Sequence, residues 1–252
     1  MDEKRVLELL KESFLVPSGN EICQSAIDEC LGTHSDDKPW IKRNFSHVVE
    51  DAQGRAYEIY LRAERPAASS AIQKVFGSML SSDADAHDLF LLLEKNFWAL
   101  DRFFLGLTQG RRPRAGNAFE MVLQMLFDKL EYPYARQPII NGQPDFLLPS
   151  QDYYASNAMD CIIFTVKRTL RERWRQIISE GTRGHQFFLA TIDDGVAQND
   201  LDDMKRNRVY LVVPESIKKS HYHDSINVIT FEAFLKHHLD PAMIRWRETG
   251  AI

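Results

Sequence analysis

From residue 145 onward the chain alternates short apolar runs with helix-forming stretches, and no other feature limits its fold as tightly. Asp145-Phe146-Leu147-Leu148 is bounded by Pro144 and Pro149, and Cys161-Ile162-Ile163-Phe164-Thr165-Val166 is strongly β-prone. Phe187 to Ile192, Val209 to Val213 and Val228 to Phe231 read as three further buried strands. Runs this apolar, without polar alternation, suit strands covered on both faces. Between them lie helical patterns: Thr169 to Glu180, with Trp174, Ile177 and Ile178 as its buried stripe, then Leu201 to Asn207 and Phe231 to Leu239. Strands alternating with helices predict an α/β fold, a central mixed β-sheet flanked by helices.

Upstream the pattern changes. Val6, Leu9, Leu10 and Phe14 repeat at helical spacing, Glu21 to Leu31 reads as a second helix, and Ser69 to Leu107 is helical with breaks near Ser81 and Asn96. Val48 to Arg62 has the look of a β-hairpin turning at Asp51-Ala52-Gln53-Gly54. Gln109-Gly110-Arg111-Arg112-Pro113-Arg114-Ala115-Gly116 reads as an irregular loop ahead of a strong helix, Ala118 to Leu130. The expected organisation is a mainly helical N-terminal subdomain over residues 1–107 and a second unit over residues 108–252, long enough to bury a full core.

The formal net charge of −5 weighs mildly against a nucleic-acid partner. Its distribution weighs the other way. Lys167, Arg168, Arg171, Arg173 and Arg175 face a single acid, Glu172, and Arg111, Arg112 and Arg114 form a second basic cluster. The three cysteines, Cys23, Cys30 and Cys161, have no metal-binding spacing and suit reduced thiols in a cytoplasmic protein. The richest apolar stretch, Leu89 to Leu107, is broken by Glu94, Lys95, Asp101 and Arg102, so no membrane span is expected. The mixed charges of Met1-Asp2-Glu3-Lys4-Arg5 do not suit a signal peptide.

Hydrolysing a phosphodiester requires a divalent metal on oxygen ligands, an attacking water, and a cation for the charge developing on the phosphate. Magnesium, a hard ion, prefers carboxylates. Pro144-Asp145 opens one expected strand and Lys167 closes the next, 22 residues later. Neighbouring strands would bring both to one end of a sheet, where Asp145 can hold metal and Lys167 can orient water or neutralise phosphate. Nuclease patterns of this kind carry an acid two residues before the lysine, and here that position is Thr165. Glu180, 13 residues after Lys167 and off the apolar stripe of its helix, can replace it, and Glu120 is a further candidate. The paired histidines His221 and His223, and His237 and His238, lack acid or cysteine partners at metal spacing and read as surface residues.

The segment from Pro144 to Ser150, followed by Val166-Lys167-Arg168-Thr169-Leu170-Arg171-Glu172-Arg173-Trp174 through Glu180, resembles the type II restriction endonucleases of the EcoRII catalytic-domain and PspGI family. The resemblance includes the stretch Gln109 to Gly116 and continues through His185-Gln186-Phe187 and Val209 to Ser216 to about Leu239. It implies the restriction-endonuclease-like PD-(D/E)xK fold. It implies that Asp145, Glu180 and Glu120 bind magnesium, with Lys167 as the catalytic lysine and Glu120 completing the acidic cluster. It implies further that Arg171, Glu172 and Arg173 enter the major groove and read consecutive C·G pairs. That chemistry is sound, because arginine pairs bidentately with guanine and glutamate accepts from the cytosine amino group. Gln109 would reach the bases from the opposite side, with Arg111 and Arg112 on phosphates or in the minor groove.

The activity so implied is cleavage of double-stranded DNA at a CC/GG-containing site, CCNGG- or CCWGG-like, leaving 5′-phosphate and 3′-hydroxyl ends. A two-fold site calls for a two-fold protein, hence a homodimer with residues 1–107 contributing to dimerisation and DNA contacts. A cognate DNA methyltransferase would belong to the same system without forming a stable complex. Some members flip central nucleotides into an arginine-and-aromatic pocket; Arg55, Tyr57 and Tyr60 have suitable chemistry and stay unassigned. The rival readings are an inactive DNA-binding module, which should lose a carboxylate or the lysine, and a repair-type nuclease, which should lack the Arg171-Glu172-Arg173 triplet.

Overall fold

The computed structural model describes residues 2–140, 142–170 and 187–252. Its N-terminal half is helical. α1 (Glu3–Ser13) starts under an Asp2 cap and α2 (Gly19–Leu31) under a capping box made by Ser18 and Glu21. The short α3 (Lys38–Arg43) leads into α4 (Phe45–Gly77); α5 (Ala86–Lys95) and α6 (Phe97–Lys129) follow, so the expected breaks near Ser81 and Asn96 are present. Among the described residues no helix is long and apolar enough to cross a membrane.

Two expectations fail here. Val48 to Arg62 is not a hairpin but part of α4, in which Val48, Ala52, Ala56 and Tyr60 are buried at intervals of four. That stripe outweighs the turn propensity of Gly54, which sits on the exposed side. Gln109 to Gly116 is not a loop either, since α6 runs through it with Pro113 inside. Proline costs about 3 kcal/mol in a helix interior, and tertiary contacts offset it. Arg111 pairs with Glu64, the Arg114 guanidinium lies 4.6 Å from the Tyr60 ring centroid, and the Ala115 carbonyl accepts from Gln53 at 3.1 Å, all against α4. The division expected between residues 107 and 108 falls inside α6.

Downstream, six strands among the described residues stand in sequence order. β1 (Ala135–Arg136), β2 (Phe146–Leu148) and β3 (Ile162–Val166) pair antiparallel; β3, β4 (Phe187–Ala190), β5 (Val209–Val213) and β6 (Val228–Thr230) pair parallel. α7 (Gln151–Asn157) links β2 to β3, α8 (Gln198–Arg206) links β4 to β5, and α9 (Glu215–His221) links β5 to β6. The chain closes with α10 (Phe231–Phe234), a π-helical turn (Leu235–Leu239) and α11 (Asp240–Glu248). The helix expected over Thr169 to Glu180 lies, from residue 171 onward, outside the described residues.

Successive strand residues feed opposite cores, as the pleat requires. Phe146, Ile162, Phe164, Phe188 and Val212 pack with α2, α4, α6 and the C-terminal helices. Leu147, Ile163, Leu189, Leu211 and Val213 pack against Leu201 and Met204 of α8. A third cluster, including Val6, Leu10, Val75, Ala99 and Phe103, joins α1 to α4 and α6.

Candidate active site

The antiparallel register of β2 and β3 builds the centre of the site. Phe146 pairs with Phe164, which sets Asp145, at the start of β2, against the end of β3. Asp145 is buried, and its Oδ2 accepts the Val166 N–H at 2.7 Å and stands 3.3 Å from Lys167 Nζ. Among the described residues its Oδ1 takes no hydrogen bond. Lys167 reaches solvent with its ammonium while its own N–H donates to the Ala190 carbonyl at 2.9 Å. Thr165 is buried in the sheet where the commoner pattern has an acid.

Glu120 approaches the same sheet end from α6. Gln137 joins the two: its N–H donates to the Asp145 carbonyl at 3.0 Å and its Nε2 to Glu120 Oε1 at 3.3 Å. Gln137 does this with φ of 45°, a left-handed conformation costly for any side chain other than glycine. Arg136 also donates to Glu120, at 3.2 Å. Hard oxygens at one end of the sheet beside an ammonium are the donor set that a small divalent cation prefers. Among the described residues no three His, Cys, Asp or Glu side chains group closely enough for a metal centre. Glu180, Arg171, Glu172 and Arg173 lie outside those residues.

On the helical side a cleft of about 900 Å³ opens between α2, α4 and α6, lined among others by Tyr57, Tyr60, Arg111, Arg112, Arg114 and Arg168. Arg111 donates to buried Glu64 through Nε at 3.1 Å and Nη2 at 2.5 Å, and Tyr60 donates to the same carboxylate at 2.6 Å. Burial raises the Glu64 pKa, but these donors outweigh it and hold the carboxyl below its usual range. Burial and the bond to Glu64 push Tyr60 up to about 12. Arg111 is therefore neutralised locally, whereas Arg112 has no ion-pair partner among the described residues and is exposed. Gln109 is exposed one turn earlier on α6. Arg55 pairs with Glu29 at 3.4 Å and does not line the cleft. A cavity of this size and lining can hold a planar ring against a phenol and an anion against guanidinium groups.

Sequence reasoning missed Glu64, Gln53 and Gln137, whose partners Arg111, Arg168 and Glu120 lie 47, 115 and 17 residues away. Arg168, counted in the basic run, turns into the cleft and meets Gln53 Oε1 at 3.4 Å. Burial raises the Cys23 thiol to about 11 and the Cys161 thiol to about 12, which disfavours their thiolate forms.

Comparison with known proteins adds three findings. The family model described as EcoRII C terminal matches residues 87–235. The type II restriction enzyme EcoRII of Escherichia coli is 30% identical over 229 residues, 87% of this chain and 50% of that protein. The type II restriction enzyme SsoII of Shigella sonnei is 30% identical over 144 residues, 52% of this chain and 47% of that protein. The chain thus spans about half the length of the curated relatives it matches. Among solved structures, metal-depleted Ecl18kI in complex with uncleaved DNA superposes with a TM-score of 0.77 at 21% identity, covering 100% of this chain and 87% of that one. A PspGI–substrate DNA complex gives 0.67 at 18% identity, covering 92% and 94%. These likenesses carry the restriction-endonuclease fold.

Proposed function

Because this chain belongs to the EcoRII C-terminal family, we propose that it is a type II restriction endonuclease cutting double-stranded DNA at a short CC/GG-containing site, CCNGG- or CCWGG-like. One observation carries the reading: a buried carboxylate, Asp145, and an exposed ammonium, Lys167, meet at 3.3 Å on adjacent strand ends. Asp145 and Glu120, with Glu180, would hold magnesium. That ion would stabilise charge on the phosphate and acidify water. Lys167 would place its ammonium against the phosphate or the attacking water. Water then displaces the 3′ oxygen, leaving 5′-phosphate and 3′-hydroxyl ends.

Arg171, Glu172 and Arg173 would read the C·G pairs, and Gln109, Arg111 and Arg112 would contact DNA from α6. Arg173→Ala should lose about 1–3 kcal/mol of discrimination at one C·G pair, measured as kcat/KM on sites altered at each position; equal loss at every position would remove its reading role.

Residues 108–252 would carry catalysis and residues 1–107 the second copy. Support for a homodimer comes from α5 and the start of α6. There Phe90, Leu91, Phe97, Trp98 and Phe104 are exposed, a patch of the kind that marks interfaces. Asp101 and Arg102 lie side by side within it, so a two-fold partner can oppose each to its opposite charge. A methyltransferase protecting the same site would complete the system.

Incubation with phage DNA and magnesium, followed by sequencing of fragment ends, tests the function. Discrete fragments with a shared CC/GG-containing sequence at their ends are expected. A smear or intact DNA would defeat site-specific cleavage, and a sedimentation mass of one chain on cut DNA would defeat the dimer.

A further inference from the structure

Lys167 lies at the start of a segment that is stapled to the neighbouring strand. After β4 ends at Ala190, the buried Thr191 donates its Oγ1 to the Arg168 carbonyl at 3.2 Å and accepts the Asp193 N–H at 3.0 Å. Asp193 accepts the Leu170 N–H on Oδ2 at 2.8 Å and the Gly195 N–H on Oδ1 at 3.0 Å. The turn that carries these groups is itself held, for the buried Tyr222 hydroxyl donates to the Asp193 carbonyl at 2.9 Å and accepts the Val196 N–H at 3.0 Å. With the bond from Lys167 N–H to Ala190, three points within four residues, at 167, 168 and 170, are tied to the turn at 190–193.

An acid at the end of the strand beside Lys167 looks like a metal ligand. The geometry argues otherwise, because each Asp193 oxygen is already engaged by a backbone N–H. A carboxylate spent on backbone donors fixes chain direction. The residue immediately after Leu170 is Arg171. We propose that Asp193, backed by Thr191, is a positioning residue for sequence discrimination: it sets the direction in which the chain leaves the sheet toward Arg171-Glu172-Arg173. The proposal rests on the reading of that triplet as the base-contacting group. Bidentate base contacts demand placement to about half an ångström, which a charge-assisted staple one residue upstream can supply.

Asp193→Ala and Asp193→Asn, in the full chain, are compared with Arg173→Ala by kcat and KM on the cognate site and on sites with one altered base pair, and by magnesium titration. Asp193→Ala should lower the ratio of cognate to altered kcat/KM by about tenfold or more. The loss should appear in KM, with kcat at saturating DNA and the magnesium requirement unchanged. Asp193→Asn should recover most of the ratio, since the amide oxygen still accepts the Leu170 N–H. Should Asp193→Ala not fold, Thr191→Val, which removes the tie to Arg168, should show a smaller loss of the same kind. An unchanged ratio in the folded variants overturns the proposal, and a fallen kcat with a raised magnesium requirement replaces it with metal ligation. If Arg173→Ala leaves discrimination intact, the reading of the triplet fails and the Asp193 proposal with it; a discriminating Arg173 beside a silent Asp193 overturns the proposal alone.

Discussion

Lys167→Ala should reduce single-turnover cleavage by about 10²–10³-fold or more while leaving DNA affinity in calcium within a few fold. The ammonium is 3.3 Å from Asp145 Oδ2 and the side chain is 42% exposed, so it meets both that carboxylate and the solvent from which a phosphate would approach. Removing it leaves no sealed cavity. Asp145 keeps its bond from the Val166 N–H, so the carboxylate stays in place without its neighbour. A partly exposed ion pair contributes about 0–1 kcal/mol to stability, and the melting temperature should move little. The variant thus separates chemistry from folding. Retained cleavage by Lys167→Ala would remove the lysine from the reaction, and lost binding in calcium would make it a DNA contact instead.

Phe127→Ala should cost about 3–5 kcal/mol of stability, in the top range expected of a single core substitution. Phe127 has no exposed surface, and its ring centroid lies 5.6 Å from that of Phe146 and 5.5 Å from that of Phe164, with Phe45, Tyr132 and Tyr134 also around it. Phe146 follows Asp145, and Phe127 lies two turns beyond Glu120 on α6, so one ring locks the helix of one acid to the strand of the other. For a domain of this size the loss corresponds to a fall in melting temperature of roughly 10 °C, readable by calorimetry. Cleavage of the variant should weaken even below its melting point, because α6 would no longer be seated on the sheet. A shift below about 1 kcal/mol would mean that the surrounding rings collapse into the space.

The sheet-bearing half was legible because its strands are buried on both faces, so that Cys161 to Val166 and Val209 to Val213 stand out as apolar runs. Asp145 and Lys167 were found together because both flank such runs. Other features depend on contacts across long separations. β1 has two residues and no pattern of its own. Gly110, Pro113 and Gly116 gave a local signal for a loop, and the pairing of Arg111 with Glu64 across 47 residues reversed it. Val48-Val49 and Gly54 imitated a hairpin, although the spacing of Val48, Ala52, Ala56 and Tyr60 recorded a helix face. Turn residues are a local signal, and burial of the periodic face against the rest of the core overrides them.

α6 carries Trp98 and Phe104 on its outer end, Arg111 and Arg112 midway, then Glu120 and Phe127, all on one unbroken axis of 33 residues. They are lobes on a camshaft. Each residue turns its neighbour by about 100°, so one amino acid gained or lost between Arg112 and Glu120 would swing the acid away from Gln137 while leaving the arginines where they were. Chain-length variation in this protein should therefore be confined to places such as residues 78–85, where α4 gives way to α5 and no angular timing has to be kept.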